Sequence, residues 1–234
     1  MYYYHTNSVK GVLVASSTVE DYVKQLYLAQ QQSSDDLVPM GRLAAMMGVV
    51  PGTATAMVKT LADAGLVEYA PRGGVRLSRG GEQLALHVLR RHRLVELFLV
   101  DVLGLDWSEV HDEAEELEHA ISDKVLEKID TLLGHPSADP HGDPIPTAKG
   151  RLAPSAARNL LECELNRPLR VTRVLDQAPP FLKFVMQHGI VPDASLVVES
   201  RSQAADAVNL RPAGKKPVTL GMSAAAKILV EPLD

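Results

Sequence analysis

Cysteine is nearly absent from this 234-residue chain. The one thiol, Cys163, has no internal disulfide partner, and no CxxC pair exists for zinc or redox chemistry. Any metal must therefore be held by oxygen and nitrogen. Long apolar runs are also missing: none reaches the roughly 18 residues of a membrane span, and GVLVA near the start lacks the length and flanks of a signal peptide. The expected location is cytoplasmic, with no membrane partner. A Gly-rich phosphate loop, an HExxH zinc signature and a Ser/His/Asp order are absent too, which argues against an enzyme. A metalloenzyme with Glu115 or Glu118 as general base would need an open coordination position and a substrate pocket that nothing in the sequence announces. With 46% hydrophobic side chains, the chain is globular and long enough for at least two units.

The net charge of −5 conceals a segregation. Residues 37–93 carry eight Lys and Arg against three Asp and Glu, whereas residues 94–144 carry two against fourteen. Two surfaces with different partners are implied, a polyanion for one and cations for the other, unless both are merely solvated faces.

Local patterns supply the framework. SSTVEDYVKQLYLAQQQ opens with a capping box at Ser17 and Glu20, and its apolar residues keep helical spacing. SSDD closes this helix. VPMGRLAAMMG is a short helix ending at Gly48, and VVPGTATAMVKTLADAG is a second, with Pro51 at its start and Gly65 as its stop. LVEYAPRGGVRLS then reads as a hairpin turning at Pro-Arg-Gly-Gly. A helix-turn-helix followed by a hairpin is the arrangement of a winged helix, a module that binds DNA or protein. If DNA, Thr53, Thr55 and Lys59 on the second helix and Arg72 and Arg76 on the wing are the candidate contacts, with Ala54 or Ala56 against thymine methyls. No Arg, Asn or Gln stands at the start of that helix to read a base bidentately. Specificity must then come from shape, apolar contact and doubling of sites on a two-fold operator.

Residues 82–103 form a long helix, ended by Gly104, whose Leu84, Val88, Leu94, Val95, Phe98 and Leu99 are candidates for a homodimer interface. HDEAEELEH, residues 111–119, packs five carboxylates and two imidazoles into one short helix. At about 100° per residue, Val110, Ala114, Leu117 and Ile121 share a core face. His111, Glu115, Glu118 and His119 share the adjacent one, and His92 and Glu96 form a second i, i+4 pair. Two carboxylates about 4 Å apart repel by about 4 kcal/mol at an effective dielectric of 20, and a divalent cation would reverse that sign. Neutralisation by Arg90, Arg91 or Arg93 is the alternative. Asp21 by itself reads as an acid favourably placed in a first helical turn.

Beyond residue 137, SADPHGDPIPTAKGRLAP reads as linker and SAARNLLECELN as a short helix. The β-type runs LRVTRVL, SLVVESRS, AVNLRP and KILVEPL suggest a small barrel.

Taken together, TVEDYVKQLY, LAAMMGVVPGTATAMVKTLADAGLV, RRHRLVELFL, VHDEAEELEH and PHGDPIP resemble the diphtheria toxin repressor and manganese transport regulator family of metal-dependent transcriptional repressors. The resemblance covers roughly residues 17–150, and the last 70 residues look like the family's SH3-like (FeoA-like) domain. It implies a mainly α fold with a small C-terminal β-barrel. The expected organisation is a tail over 1–16, a winged-helix DNA-binding domain over 17–81, a helical metal-binding and dimerisation domain over 82–150, a linker over 151–164 and the SH3-like domain over 165–234. It further implies a homodimer on a double-stranded DNA operator, regulated by a primary metal site of Asp21, Glu115, Glu118 and His119 and an ancillary site of His92, Glu96 and His111. The iron-responsive branch has methionine and cysteine where this chain has Asp21 and Glu115; hard oxygen ligands favour Mn²⁺, with Fe²⁺ compatible and other divalent transition metals able to substitute in vitro. Lys24 replaces a second first-helix carboxylate found in the manganese branch, so a paired site of that kind is not expected. Ala178 and Phe181 replace polar residues that the iron branch's SH3-like domain contributes, leaving Asp176 and Gln177 as the nearest polar groups. A metal-independent winged-helix module binding DNA or protein is the competing expectation.

Overall fold

The computed structural model describes residues 16–32, 37–154 and 156–233. The tail expected over 1–16, apart from Ser16, and the SSDD stop lie outside the described residues. The chain divides into two compact units, one through Leu89 and one from Arg90 onward.

In the first unit, α1 (Ser17–Gln31) is capped by Ser16, whose extended backbone lets its hydroxyl accept from the Val19 N–H at 3.4 Å. The cap is thus one residue earlier than the sequence pattern suggests. Helices α2 (Met40–Met46) and α3 (Pro51–Asp63) follow, and the chain leaves each through a left-handed glycine, Gly48 at φ +63° and Gly65 at φ +72°. Tyr22 and Leu26 of α1 pack with Leu43, Ala54, Val58 and Leu61 in one apolar core. Strands β1 (Val67–Ala70) and β2 (Gly74–Leu77) pair antiparallel with Val67 opposite Leu77. The sequence does not announce a third rung: Val38 and Val75 exchange both backbone hydrogen bonds, at 2.8 and 3.0 Å. A Cβ at Gly74 would meet the Val38 carbonyl oxygen at 2.7 Å, so this approach requires glycine.

Helix α4 (Arg79–Asp101) begins three residues before the expected start at 82. Gly80-Gly81 looks like a breaker, yet Ser78 caps the helix: its hydroxyl accepts from the Gly81 N–H at 3.1 Å and donates to the Gly65 carbonyl at 2.7 Å. Gly81 lies so close to the preceding loop that a Cβ there would fall 2.0 Å from the Leu66 carbonyl oxygen.

The second unit contains the rest of α4, α5 (Val110–Glu118) and α6 (Asp123–Leu132). After a long loop come β3 (Arg158–Asn159), β4 (Pro168–Val174), α7 (Pro179–Gln187), β5 (Ser195–Ser202), β6 (Ala207–Pro212), β7 (Val218–Leu220), α8 (Met222–Ala225) and β8 (Ile228–Pro232). These strands make one antiparallel sheet in the order β3-β8-β4-β5-β6-β7. Helix therefore dominates only as far as Leu132, and "mainly α" does not describe the C-terminal third.

Several expectations need correcting. Leu94, Val95 and Leu99 fill the protomer's own core, Leu94 against Leu126, Ile129 and Ile145, and Val95 and Leu99 against Val110 and Ala114. They are not available to a second copy. Leu117, assigned to the core face of α5, is 38% exposed, because the buried arc of α5 is turned toward Glu118. The described part of SAARNLLECELN, residues 156–166, forms no helix; its Arg158 and Asn159 pair with β8, and Leu160 and Cys163 enter the sheet's core. The proline-rich run from 137 is no free linker either, since Asp139, His141, Asp143 and Ile145 are all buried.

The junction at Ser78 separates two adjacent glycines. Gly81→Ala should destabilise the chain by about 2 kcal/mol or more, because backbone must move. Gly80→Ala, whose added Cβ meets nothing closer than 3.7 Å, should be neutral or stabilising by up to about 1 kcal/mol. Thermal and urea unfolding of the two variants tests the pair, and equal effects would contradict this account of the helix start.

Candidate metal centre

Helices α4 and α5 face each other across a layer of imidazoles and carboxylates. The i, i+4 spacing places His92 and Glu96 on one side of α4, and His111, Glu115 and Glu118 project from α5. Glu96 and Glu118 are 0% exposed. His92 lies between them: its Nε2 is 3.0 Å from Glu96 Oε1, and its Nδ1 is 2.7 Å from Glu118 Oε2 and 3.7 Å from Glu115 Oε1. His111 Nδ1 stands 3.4 Å from Glu96 Oε1 and its Nε2 3.7 Å from Glu115 Oε1. The two rings meet edge to face at 5.0 Å. His92, His111 and Glu115 each bring a ligand atom within 4.8 Å of the others. His119, at the C-terminal end of α5, puts Nε2 3.4 Å from Glu118 Oε1.

Burial would raise the Glu96 pKa. Hydrogen bonds from His111 and His92, with the positive fields of His92 and His141, outweigh that and hold it below the usual carboxylate range. Since each ring nitrogen of His92 faces a carboxylate, positive charge is what this layer is built to accept, as imidazolium protons or as a cation.

A second group lies deeper and escaped the sequence reading. Glu96 Oε2, Asp139 Oδ2 and His141 Nδ1 are buried atoms without a hydrogen-bond partner, and Glu96, Asp139 and His141 bring ligand atoms within 4.8 Å of one another. The His141 ring stacks on Trp107 and its Nε2 sits 2.8 Å from the Trp107 carbonyl oxygen. A carbonyl only accepts, so Nε2 carries a proton, and Nδ1 points to Glu96 Oε2 at 3.8 Å and Asp139 Oδ1 at 3.9 Å. These buried polar atoms converge without a hydrogen-bond partner, which suits a cation. Burial, then the nearby Asp143 and Glu96 carboxylates, push the Asp139 pKa well up, against a smaller opposing pull from Arg93. The signal was present in PHGDPIP, but a run rich in Pro and Gly reads as linker, and only tertiary packing reveals that it is buried.

Among the described residues, no side chain of the C-terminal domain joins these groups. Gln177 donates to Asp143 Oδ2 at 2.7 Å, and Asp176 accepts from Lys227 Nζ at 2.6 Å.

In the first unit, Asp21 is half-buried on α1. Thr53 and Lys59 are exposed on α3, while the Thr55 hydroxyl donates back to the Pro51 carbonyl at 2.8 Å. Ala54 is core, leaving Ala56 as the exposed small residue. Arg72 is exposed at the hairpin tip with φ +67°. Arg76 bonds Glu68 on the facing strand through Nε at 2.8 Å and Nη2 at 2.6 Å.

Three family profiles match in succession. They are the N-terminal DNA-binding domain of the iron-dependent repressors over 15–75, their metal-binding and dimerisation domain over 78–147, and the FeoA domain over 158–232. The chain is 30% identical to the iron-dependent repressor IdeR of Mycobacterium leprae over 226 residues, covering 92% of this chain and 96% of that protein. It is similar to a solved manganese-dependent transcriptional repressor in complex with manganese, with 41% identity, coverage of 92% and 100%, and a TM-score of 0.83. It is also similar to ScaR with bound Zn²⁺, with 31% identity, coverage of 92% and 99%, and a TM-score of 0.75. With a DNA-binding domain, a metal-binding and dimerisation domain and a FeoA domain in sequence, this chain belongs to the iron-dependent repressor family of metal-responsive, DNA-binding transcriptional regulators.

Proposed function

We propose that this chain is a manganese-responsive repressor of metal-uptake genes, acting in the cytoplasm as a homodimer on a two-fold operator. The observation that carries this reading is the buried carboxylate layer of α4 and α5, in which Glu96 and Glu118 have no exposure to water and face imidazoles. Oxygen-rich, thiolate-free ligation suits Mn²⁺ and also accepts Fe²⁺, and zinc can bind more tightly in vitro by the general affinity order. The primary, sensing ion is assigned to Asp21, Glu115, Glu118 and His119. The ancillary ion is assigned to His92, Glu96 and His111, and the deeper group of Glu96, Asp139 and His141 is a further cation site sharing the Glu96 carboxylate. The likeness to a manganese-dependent repressor at 41% identity supports manganese over iron.

The primary ion, through its assigned ligand Asp21, would favour one orientation of the DNA-binding unit in the dimer, and hence one spacing of the two α3 helices. Dimerisation would draw on apolar side chains that the protomer leaves exposed in its helical segment, among them Val102, Leu103, Leu117, Val125 and Leu132. On DNA, Thr53, Thr55 and Ala56 face the groove, while Lys59, Arg72 and Arg76 approach phosphates.

Three outcomes follow. Mn²⁺ should stimulate operator binding in a mobility-shift titration and chelator should reverse it. Asp21→Ala should remove the stimulation while the dimer persists by light scattering; binding indifferent to chelator would instead indicate a metal-independent winged-helix module. Arg72→Ala should weaken binding similarly across operator sequences and reduce the slope of log K against log salt by about 1. An unchanged slope would remove Arg72 from the interface.

A further inference from the structure

We infer that the groove lined by Trp107 and Thr172 is a binding site for a small uncharged molecule, one with an apolar body and an amide-like pair of a carbonyl oxygen and an N–H. Its recognition groups are the Trp107 indole N–H and the Thr172 hydroxyl. Neither is assigned to a metal, so the site stands independently of the metal reading.

The groove has a volume of about 710 Å³ and lies within the second unit, where α4, the loop after α6 and the sheet come together. Small-molecule sites occupy roughly 300–1,000 Å³. Its walls are mainly apolar: Leu97 and Val100 of α4, Met186 near the end of α7, Val191 beyond it, and Pro136 and Pro140 of the loop. Against these walls, Trp107 Nε1 and Thr172 Oγ1 are buried atoms without a hydrogen-bond partner. Buried indole N–H groups and hydroxyls are normally answered from within the protein. Here the chain answers neither.

Both groups are held in place by their surroundings. Trp107 is only 8% exposed and belongs to the sheet's apolar core. Its ring is stacked on His141, with centroids 5.4 Å apart and planes 21° from parallel, and its carbonyl accepts from His141 Nε2 at 2.8 Å. The indole is thereby fixed and cannot turn to seek another acceptor. Thr172 owes its position to a slip in the pairing of β4 with β8 between Val171 and Arg173, which leaves it as a bulge. A bulge re-aims a side chain that a regular ladder would commit to one face. The bulge is locked against the loop, because a Cβ at Gly142, which has φ +85°, would lie 2.0 Å from the Thr172 carbonyl oxygen. Recognition groups fixed in advance lose little freedom on binding.

The chemistry of the lining selects the occupant. An indole N–H only donates, so the ligand brings an oxygen acceptor; a hydroxyl also accepts, so an N–H beside that oxygen finds a partner in Thr172. The charged groups along the groove are the carboxyls of Asp139 and Asp193, and among the described residues no Lys or Arg lines it. An anion would meet repulsion without a counter-charge. A cation would give up water to walls that are mostly hydrocarbon. An uncharged amide or lactam on an apolar body satisfies every one of these features.

The chain has a single tryptophan, so its indole N–H gives one unambiguous nuclear magnetic resonance signal. The full chain, labelled with ¹⁵N at the indole and kept in chelator, is titrated with N-benzylacetamide, with phenylpropionate as an anionic counterpart and butylbenzene as an apolar one. The amide should shift the indole signal saturably, with Overhauser contacts from its ring to the methyls of Val100 and Val191. The other two probes should bind about 5-fold more weakly or worse, the factor supplied by one net hydrogen bond. Thr172→Val, which keeps the side chain's shape and removes the hydroxyl, should weaken the amide about 5-fold and leave butylbenzene unchanged. Trp107→Phe, followed through the probes' own signals by saturation transfer, should lose the preference for the amide. An indole signal indifferent to the amide up to its solubility limit would overturn the site. Equal affinities for the three probes, or Overhauser contacts only to other parts of the chain, would overturn it as well. Should Trp107→Phe not fold, the indole titration and Thr172→Val decide the matter.

Discussion

The helical part of the second unit is arranged around carboxylates that have been taken out of water. Glu96 and Glu118 sit without exposure on facing helices, and His92 stands between them with a ring nitrogen toward each. Unpaired, a buried carboxylate costs several kcal/mol, so the layer persists only because positive charge is supplied to it. In the proposed reading, a divalent cation supplies that charge and fixes the geometry of the acids at the same time, which would make the helical layer responsive to metal.

The surrounding fold ties this layer to the rest of the second unit. The loop 136–146 is pinned by Arg93 on one side and by β4 on the other, so the carboxylate layer is continuous with a folded sheet 30 residues further along the chain. The DNA-binding unit is built with equal economy: a small apolar core beneath α3, and a hairpin bound beside its turn by the Val38–Val75 rung.

Much of this was legible from residues alone. The period of α1, the Pro51 start of α3, the Gly65 stop and the Pro-Arg-Gly-Gly turn are local signals, and local signals survive without tertiary information. The alignment of His111, Glu115 and Glu118 was legible for the same reason. Leu117 was misplaced because hydrophobicity suggested the centre of the buried arc, whereas packing against α4 turned that arc toward the acids. Ser78 and Gly81 were missed because two glycines look like an end. Here one of them is required by a carbonyl from another loop. Asp139 and His141 were passed over because proline and glycine were read as flexibility, when they shape a buried loop whose partners lie 30 or more residues away. Long-range contact, and not local preference, decided each of these.

The central claim is that metal and DNA bind this chain as linked ligands. Calorimetric titration of Mn²⁺ into the metal-free dimer, alone and in complex with a duplex selected for tight binding, tests it most directly. The account predicts that DNA tightens Mn²⁺ binding by the same factor by which Mn²⁺ tightens DNA binding, as linkage requires. Identical Mn²⁺ isotherms with and without the duplex would contradict it.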